Sequence, residues 1–196
     1  MYKRTLVAME RRIRAGAVRV ELPGVTQRTD YTCGAAAVLA VARFYGVGPA
    51  DEATVAADMR MTLDGSDPVH LRRALTRYGL AHVEHRGMSD AALRAEIEAR
   101  RPVIVMLQAW GERRSYRRHW ADGHWVVAIG YDGAGVIVED PVLDGPRGFV
   151  RWRELAERWH DVDGPAHVER YGLVVHSLRR PVRGRAPAPR LAIPLA

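Results

Sequence analysis

The order of hydrophobic and polar positions predicts helices in the first half of the chain and strands in the second half. Residues 33–45 are apolar at nearly every position, are rich in helix formers and stop before Gly46, so they predict a buried helix. Two later helices have clear start signals, Asp67-Pro68 and Ser89-Asp90. These two helices are predicted over residues 67–78 and 90–100. Three more are predicted over residues 3–14, 51–60 and 151–159.

Short β-branched runs, each bounded by turn residues, predict the strands. These runs cover residues 18–22, 102–107, 125–131, 136–138 and 171–175. The glycine-rich turn over residues 132–135 joins two of them as an antiparallel hairpin. Helices followed by strands are typical of α+β proteins rather than of alternating α/β proteins. We therefore predict an α+β fold in which N-terminal helices pack on an antiparallel sheet.

The charge of the chain is concentrated at its ends. The net charge is +7, of which residues 1–14 carry +4 and residues 179–196 carry +5, so residues 15–178 carry −2. We accordingly divide the 196 residues into a basic N-terminal segment (1–16), one domain (17–178) and a flexible tail rich in proline and arginine (179–196). Each basic end is either a solvated tail or a contact for an acidic partner or membrane. We do not expect the domain over residues 17–178 to bind nucleic acid, because its net charge is not basic.

Cysteine content and hydrophobic runs bear on the cellular compartment. The single cysteine, Cys33, excludes an internal disulfide and a zinc site with several cysteines, and a free thiol suits a reducing compartment. The chain has no apolar run of signal-peptide length near its start and no stretch of about 18 apolar residues. We expect a cytoplasmic protein without a membrane span.

Cys33 stands where a polar loop enters the predicted buried helix. A thiol at a helix N-terminus faces unpaired N–H groups and the positive end of the helix dipole, which stabilise a thiolate, and Gly34 leaves room for a substrate. The amide of Gln27, six residues earlier, could join the Cys33 N–H in an oxyanion hole. Taken alone, however, a lone cysteine is also typical of a buried core position.

A candidate base and its partner lie on the predicted hairpin. His124 directly precedes the strand over 125–131, and Asp140 follows the partner strand just before Pro141, so a carboxylate could accept the Nδ1–H of the imidazole. Glu139 could replace Asp140, because strand alternation alone does not say which of the two faces inward. His119 ranks below His124 because no strand follows it. We expect the remaining histidines, such as His82, His85 and His160, to lie on the surface without metal-ligand spacing.

Four motifs closely resemble the bacteriocin-processing cysteine peptidase family, in its stand-alone branch. They lie over residues 27–37, 123–132 and 138–141, and at Pro102-Val103-Ile104-Val105, which resembles the strand before the histidine. The resemblance extends from about Leu22 to Trp159. It implies a papain-like fold with Cys33 as nucleophile, His124 as base, Asp140 as the residue that orients the base, and Gln27 as oxyanion donor. The best-known members are fused to an exporter and cut leader peptides after a double glycine, whereas we expect no transporter in this chain.

The resemblance implies a cysteine peptidase that acts on a peptide or protein, forms a thioester acyl-enzyme and needs no metal or organic cofactor. Processing of a leader or precursor peptide is the implied task. Two alternatives stay open at this point. The same residues could pass the acyl group to an amine or thiol acceptor, as a transpeptidase or amidase does, or the domain could be a peptide-binding module without turnover.

Overall fold

The computed structural model of the chain describes residues 17, 19–110, 116–143, 147–177 and 192–194. The helices are α1 (Cys33–Phe44), α2 (Glu52–Met59), α3 (Pro68–Arg77), α4 (Asp90–Glu98) and α5 (Trp152–Arg158). The strands are β1 (Ala81–His85), β2 (Val103–Gln108), β3 (Gly123–Tyr131), β4 (Gly135–Glu139), β5 (Arg147–Arg151), β6 (His160–Asp163), β7 (Ala166–Glu169), β8 (Gly172–His176) and β9 (Ala192–Pro194). None of the helices in these ranges has the length and hydrophobicity that crossing a membrane requires.

The helices form where their patterns and start signals predict them. Helix α1 buries every residue except Arg43, as a helix that is apolar on all sides should. Asp51 accepts a hydrogen bond from the Thr54 N–H (2.9 Å) at the start of α2, and Ser89 accepts one from the Ala92 N–H (3.0 Å) at the start of α4. The predictions for these helices, for α3 and for α5 are confirmed, with small shifts at the ends.

Seven strands form one sheet in the order β1-β8-β2-β3-β4-β5-β9. All neighbours are antiparallel except β5 and β9, which run parallel. Strands β6 and β7 form a separate hairpin. The α+β prediction and the hairpin between β3 and β4 are confirmed.

The sheet is covered on both faces. Helices α1, α2 and α3 share one apolar core with alternate residues of β2 and β3, among them Met106 and Val127. The opposite face, which includes Val105 and Val126, packs against α4 and α5. Full burial of both faces explains why these strands read as continuous apolar runs rather than as alternating ones. The second helical layer is the part of the architecture that the sequence pattern does not predict.

Several segments differ from the predictions. The predicted strand over 18–22 is wrong for the described residues: Arg19 and Val20 both donate to the Ile129 carbonyl (3.0 and 2.9 Å) beside β3, which is not strand pairing. Strands β1, β5, β6 and β7 were not predicted, because their runs are short or polar. Residues 192–194 of the predicted flexible tail form β9. The predicted helix over 3–14 and residues 178–191 of the chain lie outside the described residues.

A network of two buried polar side chains connects the β6–β7 hairpin and helix α5 to the end of β2. The amide of Gln108 donates to the His160 carbonyl (3.2 Å) and to Asp161 Oδ1 (3.0 Å), and its oxygen accepts from the Asp122 N–H (3.0 Å). Arg158 Nε donates to the Gln108 carbonyl (2.8 Å). Since buried polar groups are costly when unpaired, this network fixes the position of the hairpin next to the strand ends.

We predict that Arg158→Met destabilises the protein far more than Arg153→Met on the same helix. Arg158 is fully buried and donates to the Gln108 and Ala109 carbonyls, so its loss should lower the free energy of unfolding by about 3 kcal/mol. Arg153 is 95% exposed, so its loss should change that energy by about 0.5 kcal/mol or less. Urea unfolding followed by circular dichroism measures both, and equal effects would contradict this assignment.

Candidate active site

Cys33 is the first residue of α1 and is 8% exposed. The preceding residue, Thr32, does not cap the helix with its side chain. Its hydroxyl instead accepts from the Thr29 N–H (3.2 Å) and donates to the Thr29 carbonyl (3.1 Å). The N–H groups of the first turn therefore have no side-chain cap, and they present partial positive charge beside the thiol.

The loop that precedes Cys33 is tied to the two parts of the fold on either side of it. The Arg28 N–H donates to both carboxylate oxygens of Glu52 at the start of α2 (3.3 and 3.0 Å). The Gln27 N–H donates to the Pro141 carbonyl (2.8 Å) in the turn after β4. This second bond connects the loop of the nucleophile with the turn that carries Asp140.

His124 and Asp140 form a buried pair, as the hairpin spacing predicts. The ring nitrogen Nε2 lies 2.7 Å from Asp140 Oδ1, and the residues are 1% and 4% exposed. Asp140 Oδ1 also accepts the Val142 N–H (3.0 Å), which fixes the carboxylate. The predicted contact through Nδ1 is wrong. Continuing the strand register places Asp140 opposite Val126, diagonal to His124, so the carboxylate meets the ring nitrogen that lies farther from the backbone.

The protonation of His124 follows from these neighbours. Burial by itself would lower the pKa of His124, but the hydrogen bond to Asp140 and the nearby side chains of Asp140 and Cys33 raise the pKa to about 9. Because Asp140 occupies Nε2, the nitrogen left to face Cys33 is Nδ1, which is buried and makes no hydrogen bond with the described residues. At neutral pH the buried pair therefore places a positively charged imidazole next to the side chain of Cys33.

The rival residues have other contacts. Glu139 pairs with the guanidinium of Arg147 (Nε to Oε2, 3.5 Å), so Asp140 is the carboxylate that faces the histidine. His119 is exposed. The expectation that His160 lies on the surface is wrong: it is 6% exposed, and its Nε2 lies 2.8 Å from the His119 carbonyl. Among the described residues, no group of three or more histidine, cysteine or acidic side chains could hold a metal ion.

Gln27 lies near the pair but does not point an amide at Cys33. Its Nε2 donates to the Thr29 carbonyl (2.7 Å), and its Oε1 is buried without a hydrogen-bond partner among the described residues. Gln27 lines a cavity of about 590 Å³, together with Trp110 and Val142. Cys33 lines a different cavity of about 310 Å³. Hence Cys33, His124 and Asp140 come together in this structure, whereas Gln27 stands at the adjacent opening.

Trp110 is a neighbour of the pair that the sequence reasoning missed. Its ring centroid lies 5.1 Å from that of His124, although 47% of the residue is exposed. The sequence did contain a signal for it. Trp110 follows β2 by two residues, and β2 pairs with β3 so that Leu107 is opposite His124. A large aromatic side chain just past that strand end covers the imidazole from one side.

The sequence model of the Peptidase C39 like family matches residues 20–166, a range that includes Gln27, Cys33, His124 and Asp140. A search of curated proteins gives no match.

Solved structures of low sequence identity share the fold. A C39-like peptidase structure from Bacillus anthracis superposes with a TM-score of 0.65 at 16% identity, covering 83% of this chain and 98% of that one. The peptidase domain of Streptococcus ComA, a bifunctional ABC transporter involved in quorum sensing, gives 0.56 at 17% identity, covering 77% and 95%. A double-glycine motif protease from an AMS/PCAT transporter, in complex with its leader peptide, gives 0.55 at 21% identity, covering 81% and 93%.

We predict that Asp140→Asn lowers the pKa of His124. The substitution removes a negative charge that raises this pKa and keeps the burial that lowers it, so the imidazole should lose its proton well below the wild-type value of about 9. Titration of the His124 ring carbon signal by NMR measures both values. Asp132→Asn, at a half-buried position where the β3–β4 turn begins, is the control and should leave the titration unchanged. A pKa that is the same in Asp140→Asn and wild type would contradict the assignment.

Proposed function

We propose that this chain, which belongs to the Peptidase C39 like family, is a cysteine peptidase in which Cys33 attacks and His124 transfers the proton. The observation that carries the proposal is the buried pair of His124 and Asp140 next to the only cysteine, which stands at an uncapped helix N-terminus. A structural cysteine in a packed core would need neither a protonated imidazole nor a carboxylate beside it.

The first half of the reaction forms a thioester. The Cys33 thiolate attacks the carbonyl carbon of the scissile peptide bond, and the carbonyl oxygen becomes an oxyanion. As the tetrahedral intermediate collapses, the C–N bond breaks and the His124 imidazolium gives its proton to the leaving amine. Asp140 holds Nε2 throughout, which keeps the imidazole oriented and stabilises its charged form.

The second half of the reaction releases the acid product. The neutral imidazole accepts a proton from a water molecule, which attacks the thioester carbonyl carbon. The C–S bond then breaks, the carboxylic acid leaves, and the thiolate and imidazolium are restored. Residues of this chain are sufficient for each of these steps.

Gln27 serves as the oxyanion donor with the Cys33 N–H in this proposal. In the free protein its amide donates to the Thr29 carbonyl in the same loop. A rotation of the side chain would exchange that bond for one to the developing oxyanion, and catalytic hydrogen bonds often tighten only when substrate is bound. The bond from the Gln27 N–H to Pro141 holds the backbone of the residue close to the pair while the side chain turns.

The substrate class is a peptide, and we propose that the protein processes leader or precursor peptides. One structural neighbour is a double-glycine motif protease in complex with its leader peptide. In this chain two cavities, about 590 Å³ beside Gln27 and about 310 Å³ beside Cys33, share Asp30 in their lining, and in this proposal they receive parts of an extended peptide.

We predict that wild-type protein and His119→Ala cleave members of a diverse peptide library, and that Cys33→Ala and His124→Ala do not. Loss of the nucleophile or base removes the covalent step, whereas His119 is an exposed histidine outside the pair. Mass spectrometry of the products identifies the cleaved bond. Cleavage that survives Cys33→Ala would refute the proposal. Aminolysis products that exceed hydrolysis products when a free amine is added would indicate an acyl transferase instead.

We predict that Gln27→Ala lowers kcat by about 10²–10³ and changes KM little, because an oxyanion donor acts chiefly in the transition state. Steady-state kinetics with a cleaved library peptide measures both constants. Thr26→Ala, in the adjacent exposed position, is the control and should keep both constants close to wild type. A change in KM alone would assign Gln27 to substrate binding rather than to the oxyanion.

A further inference from the structure

The cavity beside Cys33 must receive the residues that flank the scissile bond, because the proposed nucleophile forms part of its wall. Its volume is about 310 Å³, which lies at the lower end of small-ligand sites, roughly 300–1,000 Å³. Apolar surface comes from Leu63, Met106 and Val162. A long side chain fits such a space, whereas a glycine residue would leave it empty.

Four carboxylates line the same cavity: Asp30, Asp64, Asp67 and Asp161. The lining contains no lysine or arginine from the described part of the chain, and none of the four aspartates forms an ion pair with a described basic residue.

Asp161 is the carboxylate that the fold holds in place. It is 7% exposed, and Gln108 Nε2 donates to its Oδ1 (3.0 Å). Its Oδ2 occupies the space that a side chain at Gly123 would fill, directly before His124. Burial, followed by the charges of Asp67 and Asp122, raises the pKa of Asp161 to about 6. Among the described residues, no cation pairs with this carboxylate to offset the water that it has lost.

Ser66 is another polar residue in the wall of this cavity. Ser66 Oγ is buried and makes no hydrogen bond with the described residues. The Ser66 carbonyl accepts the Trp125 Nε1–H (2.8 Å), which holds this segment beside the start of α1. A cationic donor that enters the cavity would provide a partner for the carboxylates.

We infer that this cavity is a specificity subsite for a basic side chain, lysine or arginine, next to the scissile bond, with Asp161 as its principal anion. The inference rests on the proposed peptidase function and names its substrate class. Lysine and arginine combine an apolar stem with a cationic head, which matches a cavity lined by both apolar side chains and carboxylates. A metal ion fits less well, because the described residues contain no group of three ligands that could hold one.

The test uses peptides with an N-terminal acetyl group and a C-terminal vinyl sulfone, which alkylates Cys33, and measures the rate of labelling by intact mass. Arginine is compared with citrulline, its neutral analogue of the same shape, at each of the two positions before the electrophile. We expect the arginine probe to label wild-type protein at least about tenfold faster than the citrulline probe at one of these positions. A charge-assisted hydrogen bond provides a preference of this size. A citrulline probe with a free N-terminal amine shows whether that amine, rather than a side chain, is the cation recognised.

Asp161→Asn should bring the ratio of arginine to citrulline rates close to one. Asp163→Asn is the matched control: it removes a carboxylate from the same strand that pairs with Arg86 outside the cavity, and it should keep the wild-type ratio. If Asp161→Asn does not fold, the double variant Asp30→Asn and Asp64→Asn, at two exposed positions of the wall, should lower the ratio about threefold or more.

The outcomes separate this inference from the proposed function. Labelling of Cys33 without preference for arginine, or a preference that survives in both cavity variants, would overturn the subsite and leave the peptidase intact. A preference for the free amine over the side chain would also overturn it. No labelling of Cys33 by any of the probes would overturn the proposed function, and the subsite with it.

Discussion

A buried imidazole keeps a proton only when anionic partners compensate for the water that it has lost. His124 is 1% exposed, so its protonation depends on Asp140 and on Cys33. Much of the fold serves to place these three side chains together. The β3–β4 hairpin positions His124 and Asp140, and the start of α1 positions the thiol of Cys33. The hydrogen bond from the Gln27 N–H to the Pro141 carbonyl connects the loop before α1 with the turn after β4.

Hydrophobic pattern and turn chemistry were sufficient to predict the elements that carry the site. Helix α1 was predictable because it is apolar on all sides. The β3–β4 hairpin was predictable because a glycine-rich turn separates two β-branched runs. His124 and Asp140 were predictable as partners, since a hairpin relates their positions in the chain to positions in space. The roles of Cys33 as nucleophile and Gln27 as oxyanion donor, suggested by their positions in the sequence and implied by the resemblance, are proposals.

Other features depend on contacts between residues that are far apart in the chain, and a local sequence pattern does not predict such contacts. The nitrogen of His124 that meets Asp140 is set by a diagonal offset across two strands. His160 is buried because the β6–β7 hairpin, too short and polar to be predicted, docks against Gln108. The same docking brings Asp161 to the wall of the Cys33 cavity from 128 positions further along the chain. These contacts shape the cavity next to the thiol.

The most direct test of the central claim, an activated pair of Cys33 and His124, is the pH dependence of alkylation by iodoacetamide, measured by intact mass. Cys33 is the only cysteine, so the mass change reports on this thiol alone. The wild-type rate should stay high well below about pH 8, where ordinary thiols react slowly, and should fall strongly in His124→Ala. The same pH profile in both proteins, rising only as for a free thiol, would contradict it.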